Sequence, residues 1–334
     1  MNLEDVAQRA GVSTATVSRV LNNIGVVKGS TKARVLKAVE ELKYYPNIHA
    51  RALAGGTSRA LGLIVSNVEN PFFLDIFRSL EDEAHSRGFE VLVANTDYDP
   101  DRLAKSVHLM LGRRVAGIAL IVSEMDPTLL QELQERKVRT MVLDVGEPRP
   151  YITSIKTNYS RGMQRIAEYL FSLGHRRMAF IGHHTSLGPL SDRKKTFSQV
   201  MEQLGAGVEY TAIADSDGFD GGRRAVRQLY HSGFNPSAIL CVNDFMAVGV
   251  LRQLREMNLS VPHDVSVTGF DNIRLSEFLN PALTTVHIPR EQIGRRIFES
   301  LASPPESEAP PPEVIIDPEL VVRESTGPAR RPEH

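Results

Sequence analysis

The sequence predicts an all-α head over residues 1–45 followed by an α/β core of two doubly wound halves over residues 60–327. Three observations predict it. Residues 1–60 carry nine Lys and Arg against four acids, whereas residues 61–334 carry 30 against 36. In the first segment, apolar residues recur at helical spacing on either side of a glycine. From residue 60 onward, short apolar runs alternate with helical patterns, as parallel strands joined by crossover helices do.

The head comes first. Leu3, Val6, Ala7 and Ala10 share one face of a first helix, Gly11 ends it, and Val12 is placed to plug the corner. Ser13 is a good N-cap for a second helix, STATVSRVLNN, because its hydroxyl accepts from an otherwise free amide. On that helix Val17, Val20 and Leu21 face one side, while Thr14, Ser18, Arg19 and Asn22 lie mostly on the other. A third helix is expected from Ser30 or Thr31 through Leu42, before Tyr44-Tyr45-Pro46. Two short helices around a tight glycine turn with a bracing third form the helix-turn-helix pattern, whose second helix fits the DNA major groove. The formal net charge of −1 hides a local surplus of five positive charges that suits such contact. Charge alone is also compatible with ordinary fluctuation.

A linker follows. Pro46 suits a helix start and Gly55-Gly56 a helix end. A helix that short is unstable alone in water, so it should order only with support such as DNA and a second copy of itself.

In the core, ALGLIVS (60–66), FEVLVAN (89–95), AGIALIV (116–122) and VRTMVL (138–143) read as buried strands, with helices near 71–87, 99–112 and 126–136. A second series reads RMAFIG (177–182), YTAIA (210–214), AILCV (238–242) and VSVTGF (265–270). The Pro-rich SPPESEAPPPE (303–313) is expected to be an exposed connection, and residues 328–334 a disordered tail. Ligands of open α/β sheets bind beyond the carboxyl ends of strands. Polar or aromatic residues gather there: Asn70-Pro71-Phe72-Phe73, Asp97, Asp144, His183-His184, Asn243-Asp244 and Asp271. They mark a cleft between two lobes, not a set of groups suited to one chemical step.

Catalysis finds little support. The chain has no nucleophile elbow, P-loop or HExxH motif. Asp215-Ser216-Asp217-Gly218 begins like a calcium loop, but Phe219 and Val226 stand at its fifth and twelfth positions. His183-His184 lacks a matching ligand spacing, and the single Cys241 allows neither an intrachain disulfide nor a Cys-based zinc site. No cofactor and no metal are expected. Asn158-Tyr159-Ser160 and Asn258-Leu259-Ser260 fit the glycosylation tripeptide, yet the acidic, non-apolar start reads as no secretory signal. No run approaches the roughly 18 apolar residues of a membrane span. A cytoplasmic protein with no membrane partner is expected.

LEDVAQRAGVSTATVSRVLN resembles the DNA-binding head of the lactose-repressor (LacI/GalR) family, and YYPNIHARALAGG resembles that family's hinge helix. The resemblance runs over nearly the whole chain and rests on A-G-V-S-x-x-T-V-S-R-x-L-N followed by Y-x-P-N-x-x-A-R-x-L. It implies a type I periplasmic-binding-protein-like core, with lobe 1 at 60–158 and 286–312 and lobe 2 at 159–285 and 313–327. It implies that Thr14, Ala15 and Arg19 read bases and that Thr16 and Ser18 meet phosphates, with Asn22 on the same face. Small side chains such as Thr14 and Ala15 touch a thymine methyl but make no bidentate contact, whereas Arg19 can grip guanine. In the hinge, Leu53 matches the leucine that wedges between base pairs in the minor groove, and Asn47, Ala50 and Arg51 match its groove-facing neighbours.

For the cleft, the resemblance implies that Phe72 and Phe73 wall an effector and that Arg193 bridges its oxygens. Asn243 and Asp271 would bond hydroxyls or ring nitrogens, with Asp144 and Asn158 as further candidates. Asn158 replaces a frequent family aspartate, and Asp217 falls where some sugar-binding members carry a stacking aromatic, a place Phe219 could take. Arg161, His183, His184 and Lys194 lie near the same rim, either as solvated surface or as a preference for an acidic sugar. The implied partners are double-stranded operator DNA, a sugar-like effector and a second copy of the chain. With no heptad tail after residue 313, a homodimer is favoured. The implied function is a repressor switched by a sugar or sugar derivative. The alternatives are an activator, a nucleobase-responsive member of the family, or a sugar-binding receptor without DNA function.

Overall fold

The first helix starts on a reciprocal cap in the computed structural model, which describes residues 2–21, 27–44, 58–184, 188–205, 207–303 and 309–330. Asn2 Oδ1 accepts from the Asp5 amide at 2.9 Å while the Asp5 carboxylate accepts from the Asn2 amide at 2.8 Å. Helix α1 (Leu3–Ala10) closes at Gly11, whose φ of +62° is left-handed. The Ser13 hydroxyl accepts from the Thr16 amide at 3.2 Å and starts α2 (Thr14–Leu21). Helix α3 (Gly29–Glu41) begins one residue before the expected Ser30. Val6, Val17 and Val35 are fully buried in a small core that Ala7, Ala10, Val20 and Ala38 complete. Val12 and Leu21 pack against it. The expected hinge helix lies outside the described residues, as do Asn22, Asn47, Ala50, Arg51 and Leu53.

The chain divides into two compact units, Met1–Ser58 and Arg59–His334. In the second, helices α4 (Pro71–Ser86), α5 (Pro100–Gly112) and α6 (Pro127–Glu135) share one starting device. Each has proline at its first position, behind a side-chain cap from Asn70, Asp99 or Asp126 that accepts an amide two residues on, at 3.0, 2.8 and 2.8 Å. These helices alternate with β1 (Ala60–Val65), β2 (Glu90–Asn95), β3 (Gly117–Ile121), β4 (Thr140–Leu143) and β5 (Ile152–Thr157).

The second half holds α7 (Tyr159–Ser172), β6 (Arg177–His183), α8 (Gly188–Leu204), β7 (Glu209–Asp215), α9 (Phe219–His231), β8 (Ala238–Cys241), α10 (Asp244–Glu256) and β9 (Ser266–Thr268). Then follow β10 (Thr285–His287), α11 (Arg290–Ala302), β11 (Val314–Ile316) and β12 (Glu319–Val321). Among the described residues the first lobe is built on a parallel sheet ordered β11-β5-β4-β3-β1-β2, and the second on a parallel sheet ordered β7-β6-β8-β9. Strands β10 and β12 pair antiparallel.

Four expectations are corrected. The sequence predicts a buried β2, but this strand is a sheet edge, with Val93 43% exposed, and β7 is the edge of the second sheet. Strand β5 has no counterpart in the sequence reading. The second crossing between lobes falls after His287, which bridges Asp271, and the third after Ile316, because β11 pairs with β5 through Val314 and Ile155. Those replace the boundaries at 286 and 312. Residues 328–330 are not a loose tail: the Ala329 amide donates to the Leu173 carbonyl at 2.9 Å and Arg330 pairs with Asp264 at 2.8 Å.

Helix α11 returns to the first lobe and lies against α4 at Gly294. A Cβ there would come within 2.5 Å of the Ser79 Cβ, so only glycine permits this approach. Ser79 Oγ donates to the Glu291 carbonyl at 2.8 Å across the same seam.

Candidate functional site

Two surfaces carry the residues singled out in the sequence. The first is α2, where Thr14, Ala15 and Arg19 are exposed and Thr16 and Ser18 are half-buried at its flank. Val17 and Val20 fix this orientation by filling the head's core from the opposite side. The first turn of α2 holds no acid, so the partial positive charge of the helix start is left for an anion. The Thr16 hydroxyl lies 2.9 Å from that of Ser13, which ties both to the helix start.

The second is a cavity of about 50 Å3 at the carboxyl ends of both parallel sheets. Phe72, Phe73, Asp144, Arg193, Asn243 and Asp271 all line it. Asn158 does not: its Oδ1 caps α7 by accepting from the Arg161 amide at 3.1 Å, and its Nδ2 donates to Asp317 at 3.2 Å. Arg161 pairs with that same Asp317 at 2.8 Å, and Lys194 is exposed on α8, so neither belongs to the lining.

Each lining residue is set by its element. Asn70 caps α4 and so places Phe72 and Phe73 in its first turn, their rings edge-on at 5.3 Å. Asn243 caps α10, accepting from the Met246 amide at 2.8 Å. Asp144 ends β4 at φ +61° and accepts from the Thr157 amide at 2.5 Å and from the Tyr159 hydroxyl. Burial pushes its pKa up to about 6 despite those bonds.

Arg193 and Asp271 are the centre of the cleft. Arg193 is 5% exposed, its guanidinium lying over the rings of Tyr159 at 4.2 Å and Phe270 at 4.7 Å. One Nη donates to the Val242 carbonyl at 2.6 Å and stands 3.7 Å from the Asp271 carboxylate. Asp271 is held at φ +111°, and burial pushes its pKa up to about 8 against the pull of Arg193. Among the described residues, Arg193 Nε and Asp271 Oδ1 have no hydrogen-bond partner. A buried donor and a buried acceptor left unpaired are costly to a fold. The pair is therefore suited to a group that both accepts and donates.

Several residues of the site were missed. Tyr159 lines the cavity beside Asp144, and its only sequence signal was its place one residue after a helix cap. Tyr98 also lines it. The sequence pointed instead to Asp97, which is exposed and pairs with Arg102 at 3.3 Å. Asp217, read in the sequence only as part of a failed calcium loop and as a departure from a stacking aromatic, accepts from Tyr98 at 2.7 Å, Asn67 at 3.2 Å and Asn243 at 3.0 Å. Asp244, which the sequence did single out beside Asn243, is fully buried, accepting from the Ile273 amide at 2.8 Å and from the Ser276 and Thr285 hydroxyls at 2.6 and 2.5 Å. It holds the turn that carries Asp271 and does not itself line the cavity.

Comparison with known proteins matches two stretches of the chain. Residues 2–47 match the family of bacterial regulatory proteins, lacI family, and residues 167–326 match a periplasmic binding protein-like domain. The HTH-type transcriptional repressor PurR of Yersinia pestis bv. Antiqua is 33% identical over 98% of both chains. PurR of Photobacterium profundum is 31% identical over 97% of this chain and 98% of its own. Among solved structures, the lac repressor dimer bound to operator and the anti-inducer ONPF superposes with a TM-score of 0.85 at 28% identity, covering 98% of this chain and 99% of that one. The transcriptional regulator CelR in complex with cellobiose superposes at 0.66 and 27% identity, over 97% and 99%. With a helix-turn-helix head ahead of a two-lobed periplasmic-binding-protein-like core, this chain belongs to the lacI family of bacterial regulatory proteins and is a DNA-binding transcriptional repressor.

Proposed function

We propose that the repressor acts as a homodimer whose operator affinity is switched by a small hydroxylated molecule, a sugar or sugar derivative, bound in the cleft. Arg193 Nε and Asp271 Oδ1, both without a hydrogen-bond partner among the described residues, carry this reading. A hydroxyl both donates and accepts, so one sugar hydroxyl, or two neighbouring ones, completes both groups at once. Asn243 and Asp144 add polar contacts, and Phe72 and Phe73 cover the apolar face of a ring.

A nucleobase is the second reading. It is favoured by four aromatic side chains, Phe72, Phe73, Tyr98 and Tyr159, around so small a cavity. A flat ring with alternating donors and acceptors fits between such walls. The neighbours divide in the same way, one being solved with cellobiose and the curated relatives bearing the name PurR.

On DNA, the exposed Arg19 supplies a bidentate contact to guanine, Thr14 and Ala15 touch thymine methyls, and Thr16 and Ser18 meet phosphates. The family resemblance adds Asn22 to the DNA-contacting residues and assigns Asn47, Ala50, Arg51 and Leu53 to a hinge that enters the minor groove. Two heads held by one dimer read a pseudo-palindrome, because protein symmetry is mirrored in the site. Exposed Leu74 on α4 and Val93 on the neighbouring edge strand β2 are apolar surface that a second copy would cover.

A thermal-shift screen of the full chain against sugars, sugar acids and nucleobases tests the ligand. A raised melting temperature with one class, absent in Arg193→Ala, is the expected result. Equal stabilisation of wild type and variant removes Arg193 from the site.

A further inference from the structure

We propose that Asp217 is a latch that holds the two lobes of the core closed without help from any ligand. The observation is a single carboxylate shared across the cleft. Asp217 lies in the second lobe, just after β7. One of its oxygens accepts from the Asn243 amide group of its own lobe at 3.0 Å. The other accepts from two donors of the first lobe, the Tyr98 hydroxyl at 2.7 Å and the Asn67 amide group at 3.2 Å.

The donors are held in place from behind. The Tyr98 ring lies against that of His183, with centroids 4.6 Å apart, so a second contact from the second lobe backs the first. Burial and the adjacent carboxylate push the Tyr98 pKa well above the usual phenol range, so the hydroxyl keeps its proton and remains a donor. Asn243 is fixed by capping α10. A carboxylate with three donors converging on it forms charge-assisted bonds, which are stronger than neutral ones.

The latch bears directly on the cleft, because Tyr98 and Asn243 are both part of its lining. With the bonds made, the cavity is about 50 Å3. That is room for a few water-sized atoms, well below the roughly 300–1,000 Å3 of pockets that take ligands of drug size. Binding therefore requires the latch to break. A ligand that offers its own donors to Asp217 recovers the lost bonds, whereas an anion at that place meets a like charge. Asp217 thus sets both the resting closure of the lobes and the charge the rim tolerates. This consequence rests on reading the cleft as the effector site, but the latch itself does not.

The latch is tested without ligand or DNA. Spin labels are placed on the full chain at Lys105→Cys in the first lobe and Gln228→Cys in the second, both exposed positions, while the buried Cys241 stays unlabelled. Doubly labelled chain is diluted into unlabelled chain, so that only distances within one protomer are read by double electron–electron resonance. The wild type should give one narrow distance. Asp217→Ala and Tyr98→Phe should each lengthen or broaden it, the double variant adding little to Asp217→Ala, and Asp217→Asn should fall between. An unchanged distribution in Asp217→Ala, or an equally broad one in the wild type, overturns the proposal. Either result leaves the effector assignment standing, and a silent ligand screen leaves the latch standing.

Discussion

Asp271 is placed where a fold alone would not keep a carboxylate. It is 2% exposed, its backbone is left-handed, one oxygen lacks a hydrogen-bond partner among the described residues, and another acid, Asp244, is close enough to raise its pKa further. A carboxyl whose pKa is raised from the ordinary value near 4 to about 8 binds its proton more tightly in the folded chain. Its favourable contribution is therefore complete below the ordinary value and is lost as pH rises through about 8. Asp271→Asn removes that loss. Between pH 5 and 8.5 the variant should gain stability relative to wild type by on the order of 4 kcal/mol, several degrees in calorimetric Tm. A gap that does not widen with pH contradicts this. Asp144 and Asp244, both pushed up to about 6, titrate alike in the two proteins and do not produce the gap. Phe72, Phe73, Arg193, Asn243 and Asp271 were legible because each follows a strand end or matches a family position. Asn67, Tyr98 and Tyr159 were not, because their roles depend on contacts between residues as far apart as 67 and 217.

The helices were more legible than the strands. Asn70-Pro71, Asp99-Pro100 and Asp126-Pro127 combine a cap with a proline, so the starts of α4, α5 and α6 stand in the local sequence. Strand β5 reads ITSIKT and stayed hidden because it carries no apolar run, and its polar residues are drawn into the sheet only by the fold. Lys156, for example, pairs with Glu313 at 2.8 Å beside β11. The buried reading of β2 failed because an apolar run does not say whether a strand has one neighbour or two. In the head, the turn between α1 and α2, Gly11 to Ser13, depends on Gly11. Open space surrounds a Cβ there, the nearest atom being 3.9 Å away, so the penalty of Gly11→Ala comes from its φ of +62° alone. The variant should weaken the head by about 1 kcal/mol. Amide exchange in α1 to α3 of the full chain should speed up roughly fivefold, with the core amides unchanged. Equal rates would show that the turn tolerates a side chain.

At the scale of the whole molecule, the near-zero charge is two opposite regions in one sum. The head and linker carry the positive surplus and the core is acidic, so contact with DNA is confined to the small N-terminal unit. The proposed switch requires control to pass from a cleft in one unit to DNA held by the other. Coupling of this kind is reciprocal: an effector that changes operator affinity by some factor has its own affinity changed by the same factor on operator DNA. Resting closure by Asp217 reduces the apparent affinity of any ligand that needs the lobes open, by the fraction of chains already open. The most direct test of this switch is the fluorescence anisotropy of a selected operator, titrated with full chain at fixed salt, with and without the metabolite that shifts its melting temperature. Wild-type affinity should change by about tenfold or more, within the usual range of allosteric coupling. Arg193→Ala should bind the operator as tightly as the unliganded wild type and ignore the metabolite. An operator affinity that the metabolite leaves unchanged in the wild type, or shifts equally in Arg193→Ala, contradicts the account.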